Sequence, residues 1–220
     1  MPYPSKTDRQ AILSVAVKEL ARGGIRDLSL RNIAASLGLA PNAIYRYFSD
    51  RRELEAALSS EAARQMEVAL RKASEGRVPL TAIREMSGAY IKFAKHNRHL
   101  YEAMMSFHAP EHDAASHESL WTFTVEQVQR IAGSDRAAQA SVALWAFLHG
   151  AVALEAAQVL GEIKPASGLE FGFEAWLAAA SAQRVAIKTP RFNPSRKTAN
   201  KRGGKPSDIS ITGSTSGQAQ

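Results

Sequence analysis

Cysteine is absent from all 220 residues, and with it go disulfide frameworks, thiolate nucleophiles and cysteine-ligated metal centres. That absence fits a reducing cytoplasm, the expected location. β-Branched residues never alternate with polar ones over a sustained stretch, while Leu, Ala and other helix formers recur throughout. The fold class this predicts is all-α. No uncharged apolar run reaches bilayer length. The most apolar segment, 140–160, is interrupted by His149, Glu155 and Gln158, so no membrane partner is expected. The opening MPYPSKTDRQ is polar and carries Asp8, unlike a secretory signal. Catalytic signatures are missing too: no nucleophile–base pair or phosphate-cradling loop stands out. His96, His99, His108, His112 and His117 invite a metal reading. Pro110, however, interrupts the helix that the His108–His112 pair needs. No metal, no cofactor and no enzymatic activity are expected.

Positive charge is in excess, but unevenly. The formal net charge is +7. From Ile187 onward seven basic residues face one acid, Asp208, which accounts for +6 of it. Residues 1–54 hold nine Lys or Arg against five acids, a mild surplus that suits a DNA-facing end. Basicity alone does not define a DNA binder here.

Residues 30–48, LRNIAASLGLAPNAIYRYF, do. Ile33, Ala34 and Leu37 recur at helical spacing. Gly38 then supplies the left-handed residue that ends a helix and turns the chain, and Leu39 plugs the turn. A second helix begins near Ala40, with Pro41 in its first turn, where a missing N–H costs nothing. Ile44 and Phe48 form its buried stripe, which leaves Pro41, Asn42, Ala43, Tyr45, Arg46 and Tyr47 directed outward. Asn pairs bidentately with adenine, Arg with guanine, and small side chains fit a thymine methyl. The two tyrosine hydroxyls and Arg51 suit phosphate oxygens. This is the pattern of a helix-turn-helix whose second helix enters the major groove. The alternative is an ordinary αα-hairpin with exposed aromatics.

The run SLRNIAASLGLAPNAIYRYFSDRREL resembles the DNA-binding segment of the TetR family of bacterial transcriptional regulators. Ser29, Ile33-Ala34, Gly38, Tyr45, Tyr47, Phe48, Arg51 and Leu54 carry the likeness, over about residues 8–55. One departure is Arg51, where the family usually has Lys; a phosphate contact survives that exchange with altered geometry. Further on, Trp145, His149 and Gly150 in LWAFLHGAVALE are similar to the signature of a WHG-type C-terminal domain found in some members. The resemblance implies a regulator that binds a double-stranded DNA operator and a C-terminal domain that binds an effector.

Around this segment the chain reads as a series of helices. The first spans about 7–22, after a loose arm at 1–6, and ends at Gly23-Gly24. Ser29 is a plausible N-cap for the second, and Arg31, on the solvent side of its first turn, reaches toward a phosphate or base edge. Asp50 with Glu53 opens a long fourth helix, about 51–74, as a capping box; it is either a lever or a plain connector. Residues 79–107 hold two helices broken near His96-Asn97-Arg98. Met86, Tyr90, Phe93, Tyr101 and Met104, with Trp121 from a helix over 119–132, are either core or the wall of a pocket for a small apolar or amphipathic effector. The implied effector domain favours the pocket, and Trp145 and His149 join it on the WHG likeness, although His149 also reads as a satisfied core histidine. The apolar segment 140–160 calls for burial on nearly every side, and a second copy of the chain is the expected cover. A last helix, about 169–185, presents Phe173, Trp176, Leu177 and Ala180 on one side, and these two helices from each subunit make a four-helix dimer interface. From Thr189 periodicity is lost, a composition too polar to fold.

The domain expectation is therefore a DNA-binding domain at 1–54, an effector and dimerisation domain at 55–187, and a basic, polar tail at 188–220. The functional expectation is a dimeric repressor released from a palindromic operator by a small molecule. A constitutive architectural DNA-binding protein and an enzyme using the histidines and carboxylates are the competing classes.

Overall fold

The computed structural model describes residues 8–106, 114–159 and 168–182. The expected N-terminal arm, His108, His112, most of the loop around them and the basic tail lie outside the described residues.

Asp8 opens the first helix, α1 (Arg9–Asp27), by accepting the Ala11 N–H at 2.7 Å. Ile12, Ala16 and Leu20 line its buried face. The expected stop at Gly23-Gly24 is a kink rather than an end: Gly24 has φ 70° and ψ −172°, and helical turns resume to Asp27. Tertiary contacts impose the resumption. The His99 ring sits close beneath Gly24, and Arg51 donates to the Ile25 carbonyl at 2.7 Å.

Two short helices follow, α2 (Leu30–Ser36) and α3 (Pro41–Ile44), then α4 (Arg51–Ser74). Ser29 occupies the N-cap position of α2 in an extended conformation, but its hydroxyl makes no capping bond, contrary to expectation. Asp50 caps α4 by accepting the Glu53 N–H at 2.9 Å. The helix break foreseen near residue 97 separates α5 (Pro79–His96) from α6 (Arg98–Ser106). The remaining elements are α7 (Ala115–Ala132), α8 (Ala137–Ala157) and α9 (Leu169–Ser181). The fold among the described residues is all-α.

The core is continuous from Ile12 through Met66 and Tyr90 to Ala180. Three helices as short as α1–α3 enclose little apolar volume by themselves, and they complete their core on α4 and α6. α4 is the spine, packed against α1, α5, α6 and α7. Its buried band, including Leu54, Leu58, Ala62, Met66 and Leu70, is correspondingly broad.

One expectation is corrected at the C-terminal end. Phe173, Trp176 and Ala180 are 5 %, 8 % and 3 % exposed within a single chain, so the side of α9 expected to meet a second copy packs on this subunit's own core. Trp176 Nε1–H donates to the Ala140 carbonyl at 2.9 Å, and Arg84 lies 4.8 Å over the Phe173 ring while pairing with Glu170 and Glu174. The helix instead leaves Phe171 81 % exposed. α8 is long and apolar enough to cross a membrane by length and composition, yet only 22 % of its most apolar stretch is buried inside the chain. Ser141, Leu144 and Leu148 face inward; Val142, Ala143, Ala146 and Leu154 face out.

Candidate nucleic-acid interface and internal cavity

The turn between α2 and α3 is built from a helix stop. Gly38 has φ 65°, its N–H reaches the Ala35 carbonyl at 3.0 Å, and the Leu39 N–H reaches that of Ala34 at 2.9 Å. Those two bonds around a left-handed residue form a Schellman motif. Leu39 packs against the core, fixing the angle at which α3 leaves. Pro41 stands at the first position of α3, and the chain coils on through Tyr47, with the Phe48 N–H bonded to the Ile44 carbonyl at 3.0 Å. Ile44 and Phe48 are fully buried. Pro41, Asn42, Tyr45 and Arg46 are exposed, while Ala43 and Tyr47 are half-buried. Arg31 is exposed on the first turn of α2, and Ser29 is half-buried before it. Asn42 and Arg46, four residues apart, therefore share a solvent-facing side with the groups that read base edges in the major groove. Arg51 is half exposed and already engaged, by Glu55 at 2.7 Å as well as by the Ile25 carbonyl. In the free protein it ties α4 to the kink in α1.

A cavity of about 370 Å³ lies among α4, α5, α6, α7 and α8. Five of the expected residues line it: Met86, Tyr90, Met104, Trp121 and Trp145. Three do not. Phe93 is core, 7 % exposed. Tyr101 and His149 stand one layer behind the wall, where the Tyr101 hydroxyl is 2.8 Å from that of Tyr90 and 2.6 Å from His149 Nδ1. Trp145 Nε1–H donates to the Tyr90 oxygen at 3.1 Å, completing a four-residue chain of hydrogen bonds from α8 through α5 and α6 and back to α8. Burial pushes both tyrosine hydroxyls above their usual range, so they remain neutral hydrogen-bonding groups.

The wall also holds residues that the sequence did not single out for it: Met66 and Leu70 from α4, Ser87 from α5, His117 and Thr124 from α7, and Ser141, Leu144 and Leu148 from α8. The apolar stripe of α4 signals Leu70, but which neighbours it meets is decided by tertiary packing. The described histidines do not converge. His96 bonds the Lys92 carbonyl, His99 pairs with Glu102, and His117 lies at the cavity. Among the described residues no three potential metal-binding side chains come together.

A helix-turn-helix carried on a helical domain that encloses a cavity defines a class of DNA-binding transcriptional regulators. Comparison with known proteins narrows it. The family described as bacterial regulatory proteins, tetR family, matches residues 12–58. Tetracyclin repressor-like, C-terminal domain, matches residues 83–179, a span that includes Trp145, His149 and Gly150. The two spans together cover well over half of the chain, which belongs to the TetR family of transcriptional regulators. An uncharacterized HTH-type transcriptional regulator of Mycobacterium tuberculosis, Rv0681, is 26 % identical over 73 % of this chain and 75 % of its own length. In fold, the chain is similar to a protein of unknown function from Rhodococcus sp. RHA1, with a TM-score of 0.69 at 23 % identity over 83 % of this chain and all of that one. It is also similar to a single-residue variant of TetR from Acinetobacter baumannii AYE in complex with minocycline, with a TM-score of 0.60 at 17 % identity over 79 % of this chain and 96 % of that one.

Proposed function

We propose that two copies of this chain act in the cytoplasm as one repressor, which leaves a palindromic operator when a small molecule fills the cavity. Residues 1–54 form the DNA-binding domain, 55–187 the effector and dimerisation domain, and 188–220 a basic tail. Residues 41–47 enter the major groove, with Asn42 and Arg46 on base edges and Tyr45, Tyr47, Ser29, Arg31 and Arg51 toward the backbone. The partner copy covers the outward faces of α8 and α9, where Val142, Ala146, Leu154 and Phe171 lie.

One observation carries the effector reading: the same two helices touch both the cavity and the DNA-binding end. α6 presents Met104 to the cavity and, a turn earlier, His99 to the kink at Gly24. α4 presents Met66 and Leu70 to the cavity and Arg51 to the carbonyl beyond that kink. A ligand that moves either helix moves α1 and the helix-turn-helix with it. The half-site separation on DNA is fixed, so a small change in the spacing of the two recognition helices lowers affinity. The ligand shifts the equilibrium only by its differential affinity for the two states.

A duplex enriched by the full chain from a random pool is the probe. Two chains per duplex are expected, together with release by a small molecule that binds the DNA-bound form more weakly than the free protein. One chain per duplex, or equal affinity of both forms for every compound that binds, would contradict the proposal. An architectural protein would enrich no sequence at all.

A further inference from the structure

Most polar groups on the cavity wall are answered by the protein itself. The hydroxyls of Ser87, Thr124 and Ser141 donate to the carbonyls four residues back, at 2.9, 2.8 and 2.8 Å. Trp145 is spent on Tyr90, and Tyr90 shares its hydroxyl bond with Tyr101. None of the described residues lining the cavity is Asp, Glu, Lys or Arg, so an ionic ligand would lose its hydration and meet no countercharge among them.

His117 breaks the pattern. It lines the cavity, and its Nδ1 is the one buried side-chain nitrogen or oxygen among the described residues that lacks a hydrogen-bond partner. An unanswered buried polar atom is costly and calls for an occupant that answers it. The other ring nitrogen, Nε2, lies 3.2 Å from Ser59 Oγ, and that hydroxyl donates to the Met104 carbonyl at 3.5 Å. In the tautomer with its proton on Nε2, directed at Ser59 Oγ, the ring leaves its lone pair on Nδ1. Burial lowers the ring's affinity for a second proton, which keeps it an acceptor at neutral pH. Trp121, one turn on from His117 along α7, and Trp145 of α8 also line the cavity, with ring centroids 6.0 Å apart, alongside the adaptable side chains of Met66, Met86 and Met104.

We propose that the cavity takes an uncharged, largely apolar aromatic molecule that presents one O–H or N–H donor to Nδ1 of His117, a neutral phenol in chemical class. This rests on the effector reading above and names the chemistry of that site.

Calorimetric titration of the full chain at neutral pH with β-naphthol, its methyl ether and β-naphthoate tests it. The expected order is naphthol about tenfold tighter than the ether, the worth of one hydrogen bond, with naphthoate undetected. His117→Phe is expected to bind naphthol and ether alike. His117→Asn, whose amide oxygen offers an acceptor from a nearby position, is expected to restore the preference. Should the Phe variant fail to melt cooperatively, the wild-type order and the Asn variant decide. Equal binding of naphthol and ether by the wild type would overturn the role of His117 while leaving the cavity as a ligand site. A preference retained in His117→Phe, or naphthoate binding tightest, would overturn the proposed class. No binding of any probe would overturn the cavity reading as well.

Discussion

Arg9 stacks 4.2 Å over the Phe48 ring, pairs with Glu53 at 2.6 Å and donates to the Tyr47 carbonyl. The first turn of α1 thereby fixes the end of the recognition helix. Glu53 receives the Ser49 N–H at 2.7 Å. That backbone bond, helped by Arg9, holds its carboxyl below the ordinary 4.5. A carboxyl lowered by folding stabilises the native state above its unfolded pKa, and the contribution is lost as pH falls from about 4.5 through the folded value. Glu53→Gln is expected to cost about 1 kcal/mol near neutrality, partial exposure trimming the ionic share. It also flattens the acid limb of the stability–pH curve, and urea melts across that range measure both effects. An unchanged acid limb would place the stabilisation elsewhere. The pairing of Asp50 with Glu53 is legible in the sequence because three residues of spacing encode it. The contribution of Arg9 is not, since 44 residues separate it from Glu53 and no local pattern spans that distance.

At the scale of elements, two glycines separate local from tertiary demands. Gly38 and Gly24 both hold positive φ, 65° and 70°, which disfavours any side chain by roughly 1–2 kcal/mol. A Cβ at Gly38 meets nothing within 4 Å, whereas one at Gly24 comes within 3.1 Å of the His99 ring. Gly38→Ala is therefore expected to lose about 1 kcal/mol in urea melts and Gly24→Ala more. Equal losses would mean that α6 does not brace the kink. The turn at Gly38 was readable because glycine, Leu39 and Pro41 are contiguous. So were the bounds of α4, marked by Asp50 at one end and Gly76 with Pro79 beyond the other, and the break between α5 and α6, where His96-Asn97-Arg98 interrupts the apolar stripe. The resumption of α1 beyond Gly24 was not, because α6, far downstream in the chain, supplies the support. The cavity was half legible for the same reason. Periodicity in α5 and α6 pointed to Met86, Tyr90 and Met104, but only packing brings Met66, His117 and Ser141 to the same space.

For the molecule as a whole, α8 sets the requirement. Its most apolar stretch is 22 % buried, and an apolar helix left so open needs a cover. The composition of α8 makes that need legible, but the side of α9 that meets it is not, since Phe173 and Trp176, apolar enough to suggest an interface, serve the subunit's own core. A charge on the open face, Ala146→Glu, is expected to convert dimer to monomer in sedimentation while leaving the helical spectrum intact. A dimer of unchanged affinity would move the interface elsewhere. In the proposed dimer the two recognition helices stand at a set spacing and read a symmetric site. Selection from a random duplex pool with the full chain and with Asn42→Ala tests it directly. The wild type is expected to enrich a palindrome, and the variant to lose the preference at one symmetric pair of positions, at about 1–3 kcal/mol per site. Enrichment of no sequence, or an identical motif from both proteins, would contradict it.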